Sequence, residues 1–98
     1  MSDLRNHLAE NQYLFSVDGE EVGLADYRVI GDEIHIIHTE ITPRLRGSGL
    51  GARMVRQVLD SIRDETDYRV VADCGFVRDF IRRNPEYAEL QTRRSTAP

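Results

Sequence analysis

From Tyr13 onward the chain alternates. Tyr13, Phe15 and Val17 stand between Leu14, Ser16 and Asp18, a period of two that predicts a strand with one face turned to a core. Asp18-Gly19 is a hairpin turn signal, Val22 to Ile30 returns, Gly31-Asp32 turns again, and Glu33 to Ile41 makes a third strand. The three form an antiparallel meander. Thr42-Pro43 closes it, since proline donates no ladder hydrogen bond and holds its predecessor extended.

Beyond residue 48 the period changes. Leu50, Met54, Val55, Val58, Leu59 and Ile62 recur at three and four, with Arg53, Arg56, Gln57, Asp60, Arg63 and Asp64 on the other face, which predicts an amphipathic helix over 49–65. Residues 68–73 read as a short apolar strand, and 76–83 as a short helix stopped by Asn84-Pro85. Strand, loop, helix, strand in that order is a β-α-β unit, so the third and fourth strands are expected to be parallel neighbours with a right-handed crossover. The fold class is mixed α/β: a three-strand antiparallel meander followed by a β-α-β unit, with helices packed on the sheet. Residues 1–12 are polar and are expected to fray, and 91–98 to form a loose tail.

Composition narrows the function classes. Ninety-eight residues predict a single domain, residues 1–98, without a second sub-domain to close a cleft. No apolar run approaches the roughly 18 residues needed to cross a bilayer, and the first twelve residues show no apolar signal core, so a cytoplasmic protein with no membrane partner is expected. The single cysteine, Cys74, and three scattered histidines make no metal cluster. Residues 1–43 hold two Arg against nine acids, whereas residues 44–98 hold eleven Arg against eight. The basic excess thus begins at residue 44, yet a pI near 5.3 argues against a nucleic-acid partner.

The stretch RGSGLG, residues 46–51, carries three glycines at a strand-to-helix junction, where the usual visitor is a phosphate. A P-loop would need Gly-Lys-Ser/Thr, and the chain has no lysine. Gly47, Gly49 and Ala52 satisfy the dinucleotide pattern G-x-G-x-x-A, with Asp73 about 20 residues on. Architecture opposes that alternative: a Rossmann unit comes first and is followed by more parallel strands, whereas here a meander precedes it.

Arg46, Gly49 and Gly51 also fill the pattern Arg/Gln-x-x-Gly-x-Gly/Ala. With His-Thr-Glu-Ile at 38–41, Asp-Cys-Gly-Phe-Val at 73–77 and Asn-Pro-Glu-Tyr at 84–87, the chain from Tyr13 to Leu90 resembles the smallest GCN5-related N-acetyltransferases. The resemblance implies a sheet splayed at its middle, with acetyl-CoA lying between the third and fourth strands. Backbone amides from Arg46 through Gly47, Ser48, Gly49, Leu50 and Gly51 would face the pyrophosphate, helped by the helix dipole, and side chains at Gly49 or Gly51 would hold it off. The pantetheine arm would pair with the strand edge near Thr39 to Ile41. Arg44, Arg82 and Arg83 are candidates for the remaining phosphate.

Acetyl transfer to an amine needs a base, a held oxyanion and a stabilised thiolate. Glu40 is the candidate base, with His38 on the same strand face as a proton partner. Cys74 is a candidate nucleophile or a small buried thiol. Larger family members carry an Asn and a Tyr general acid where this chain has Cys74 and Phe80; Tyr87 is the remaining phenol, either acid or packing anchor. The small members also lack the N-terminal helices that shape the acceptor site. The amine acceptor, small molecule or peptide, is therefore left open, as is a homodimer that would complete it. A coenzyme A-binding module without efficient turnover is the competing class.

Overall fold

The computed structural model describes residues 1–93. Five strands run in the spatial order β1 (Ser2–His7), β2 (Gln12–Val17), β3 (Glu20–Ile30), β4 (Glu33–Ile41), β5 (Arg69–Ala72), with α1 (Leu50–Glu65) between β4 and β5 and α2 (Gly75–Arg83) after β5. β1 to β4 are antiparallel neighbours, and β5 joins β4 in parallel. The meander therefore has four strands. The polar N-terminus expected to fray pairs along its whole length with β2, from Ser2 against Val17 to His7 against Gln12. Its side chains read as polar because β1 is an edge strand with little of it buried.

The tail is likewise held where it begins. After the 3₁₀ turn Pro85–Gln91, which buries Tyr87 and Leu90, the guanidinium of Arg93 donates to the carbonyls of Tyr68 at 2.8 Å, Ile62 at 3.1 Å and Thr66 at 3.0 Å. It thus caps the C-terminal end of α1 with a positive charge, where helix carbonyls lack partners. Residues 94–98 of the expected tail lie outside the described residues.

Opposed residues in a ladder share a face, so the register assigns sides. One row runs Asn6, Tyr13, Ala25, Thr39 and the next Leu4, Phe15, Gly23, Ile41. These rows meet the buried stripes of α1 (Met54, Val55, Val58, Leu59, Ile62) and α2 (Val77, Phe80, Ile81) in one core. Both helices therefore cover the same face. Neither α1 nor α2 covers the other face, whose rows are Arg5, Leu14, Leu24, Glu40 and His7, Gln12, Asp26, His38. A bulge at Ile37, between the pairs Asp26–His38 and Tyr27–Ile36, resets the alternation along β4. Ile34 and Ile36 face the core before it, Thr39 and Ile41 after it, and His38 and Glu40 turn away.

Candidate functional site: a groove at the split of the sheet

β4 and β5 pair only from Glu33–Arg69 to Ile36–Ala72. The amides of Asp73 and Cys74 both donate to the Ile36 carbonyl, at 3.1 and 3.0 Å, and there the strands part. From Ile37 onward β4 offers its free edge to a groove of about 580 Å³. Thr39, Glu40 and Ile41 form one wall, the loop residues Arg46, Gly47 and Gly49 the mouth, and Gly51, Met54, Phe76 and Arg83 the helix side. The splayed sheet that the resemblance implied is present.

The loop's glycines have two different reasons. Gly47 and Gly49 have φ of 82° and 85°, a left-handed backbone that favours glycine, and an added Cβ at either would meet nothing within 4 Å. Gly49 is the N-cap of α1 and no side chain caps that helix, so its first amides are left without a side-chain partner where Gly49, Gly51 and Ala52 line the groove. Gly51 is different. A Cβ there would lie 2.9 Å from the Phe76 ring, so its missing side chain makes room for an aromatic of this protein's own, a reason the sequence reading did not supply. Phe76 is off the Val77, Phe80, Ile81 stripe and 48% exposed; an apolar residue off the core stripe was the signal for a groove wall. Ser48 spends its hydroxyl within the loop, donating to Leu45 O at 2.5 Å. Leu50 is half-buried against the core.

Among the arginines, Arg46 and Arg83 line the groove. Arg44 is ion-paired to Glu20 and Arg82 to Asp79, at 2.7 Å for the latter, so both are engaged elsewhere. Backbone N–H groups at a helix start, open glycine positions, two arginines and a free strand edge together fit a long ligand with phosphates at one end and amides along its arm, which is the chemistry of coenzyme A.

The three candidate catalytic residues do not gather on one side. His38 Nε2 lies 3.0 Å from Glu40 Oε1, both about half exposed, on the helix-free face. Cys74 is on the helix face, its sulfur 3.5 Å from the Thr39 hydroxyl at the start of α2. Burial alone would raise its thiol pKa. The Thr39 hydroxyl and the amides of Val77, Phe76 and Thr39 outweigh that burial, so the thiol is held below its ordinary range. Tyr87 is 3% exposed and donates to Asp60 at 2.7 Å while accepting from Arg56 at 3.1 Å, and Phe80 is buried beside it. Tyr87 is thus a packing anchor.

One cluster escaped the sequence reading. His35 stands between two carboxylates, Nδ1 at 3.0 Å from Asp73 Oδ2 and Nε2 at 3.1 Å from Glu33 Oε1, and Glu33 also accepts from Arg69 at 2.5 Å. The Asp73 contact, which outweighs a burial penalty, together with Glu33 raises the imidazole pKa above its ordinary value. This clasp joins β4 to the segment after β5 at the root of the split. It also takes up Asp73, the residue the dinucleotide pattern needed, and the sheet has one parallel pair where that alternative wants several.

A mixed sheet split beside a glycine loop at a helix start defines an acetyltransferase-type fold. Residues 12–90 match the family model described as GCN5-related N-acetyl-transferase, and the chain belongs to that family. Among solved structures, the ribosomal-protein-S18-alanine N-acetyltransferase of Escherichia coli is similar at 20% identity and a TM-score of 0.47, over 52% of this chain and 33% of that one. A search of curated proteins found no match. No described helix is long and apolar enough to cross a membrane.

Proposed function

We propose that the protein moves an acetyl group from acetyl-CoA to an amine. Acetyl-CoA supplies an activated acetyl thioester. The observation that carries this reading is the free edge of β4 facing the glycine loop across one groove, together with family membership. Amides of the loop and the first turn of α1, with Arg46 and Arg83, hold the phosphates, while main-chain groups of Thr39 to Ile41 align the arm. The split opens onto both faces of β4, and this divides the chemistry. Glu40, with His38 beside it, takes the amine's proton on the helix-free face. Thr39, Cys74 and the start of α2 supply donors on the helix face, where the departing thiolate gathers charge.

With acetyl-CoA and a panel of primary amines, Glu40→Gln should retain acetyl-CoA affinity and lose about 10²–10⁴-fold in kcat, the usual share of a general base. An unchanged kcat would remove Glu40 from that role. A second reading, a coenzyme A-binding module without efficient turnover, is favoured by the burial of Phe80 and the engagement of Tyr87, which leave no phenol at the groove. Tight acetyl-CoA binding without transfer to any amine would select it.

A further inference from the structure

A second hollow, of about 340 Å³, is lined by Leu14, Leu24 and Glu40 of the helix-free face together with Gly23 and Ile41 of the opposite rows, and it shares Glu40, Ile41 and Arg46 with the groove described above. Its floor is Leu14 and Leu24, which oppose each other across β2 and β3, and Leu24 in turn opposes Glu40. A carboxylate at the split thus continues into two leucines along one ladder row. Both leucines are half-buried and neither α1 nor α2 packs on their face, and the volume falls at the small end of ligand pockets, about 300–1,000 Å³.

We propose that this row is the acceptor subsite, and that it takes a primary amine with an apolar alkyl or aryl body, its nitrogen at Glu40 and its body on Leu24 and Leu14. The inference rests on the acetyl-transfer reading and adds the acceptor's class and the face from which it enters. The hollow's own charged residues are two carboxylates, Glu21 and Glu40, against one guanidinium, Arg46, so a cation is admitted at Glu40. A polycation fits less well. The other nearby carboxylates are already partnered, Asp26 by Gln12 at 2.8 Å and Glu21 by Arg5 at 3.8 Å, so along the row from Glu40 the next side chains on offer are the apolar Leu24 and Leu14. In the transfer, Glu40 takes one proton from the ammonium, and the nitrogen bonds to the acetyl carbon as the carbon–sulfur bond breaks. The nitrogen's second proton passes through water to the departing thiolate, leaving an amide, a free thiol and protonated Glu40.

The test uses three amines, ethylamine, hexylamine and 1,6-diaminohexane, with saturating acetyl-CoA. Hexylamine should exceed both others in kcat/KM by about tenfold or more, the discrimination a few apolar contacts provide. Leu24→Ser should raise the KM for hexylamine by about tenfold, more than that for ethylamine, and leave the KM for acetyl-CoA unchanged. Equal rates for all three amines, a preference for the diamine, or an unaltered hexylamine KM in Leu24→Ser would overturn the subsite. Should that variant not fold, amide shift changes in the wild-type protein decide. With coenzyme A bound, hexylamine should move the amides of Leu14, Gly23 and Leu24, and shifts elsewhere or none overturn the proposal. Acetyl-CoA is first titrated alone. Binding and turnover without the hexylamine preference reject only the subsite, whereas no binding, or binding without transfer to any amine, rejects the transfer reading and the subsite with it.

Discussion

Single side chains decide the packing behind the groove, which Ile41 and Met54 line. Gly23 lies under α1, where an added Cβ would come within 2.7 Å of Ile41 Cδ1, 2.9 Å of Met54 Sδ and 3.0 Å of the Glu40 carbonyl. Because one of those neighbours is backbone of β4, the strand itself must shift. Gly23→Ala should cost about 1–3 kcal/mol, the usual range for overpacking, read by urea unfolding; a stability equal to wild type would mean β4 can yield there. Thr39, on the same face of β4, acts at the strand's free edge. Its hydroxyl and nearby amides hold the Cys74 thiol down against burial, so alkylation of Cys74 should reach half its maximal rate below the ordinary cysteine pKa of about 8.5. Thr39→Val should move that midpoint upward. An unmoved midpoint would assign the shift to the backbone amides alone.

Elements carry the pH dependence. His35 faces Glu33 on its own strand, Asp73 after β5, and Arg28 opposite it on β3, with Arg69 of β5 bonded to Glu33. A neutral imidazole has one N–H, so only the protonated ring donates to both carboxylates. The folded-state pKa is raised, so the clasp's stabilisation is complete below the unfolded histidine value of about 6.5 and is lost as pH rises through the raised one. The wild type should therefore lose more thermal stability than His35→Gln between pH 6 and pH 8.5. Parallel losses would deny the clasp an energetic role. Much of this element layer was legible in the sequence. The period of two along Tyr13 to Val17 and the three-four spacing from Leu50 to Ile62 give β2 and α1 to within a residue or two, because burial on one face writes itself into the pattern. β1 was not legible, since an edge strand that buries little writes no such pattern. The Ile37 bulge was not either: a run of His-Ile-Ile-His reads equally well without it, and the register of β3 reveals the extra residue.

At the scale of the whole molecule, four antiparallel strands and one short parallel partner leave the sheet joined at one end and open at the other. Both α-helices lie on one face, so neither covers the other side of the opening. The glycine loop could be recognised from the sequence because phosphate chemistry demands bare backbone. The separation of Glu40 and His38 from Cys74 could not, since it depends on pairing across strands far apart in the chain. The central claim is that the groove at this split holds acetyl-CoA by its glycine loop. Its most direct test is calorimetric titration of acetyl-CoA into the wild-type protein and into Gly49→Trp, with thermal melting to check that the variant is folded. The account predicts saturable one-to-one binding that is lost in a Gly49→Trp protein still melting cooperatively. Absence of binding to the wild type, or an affinity unchanged in the folded variant, would contradict it.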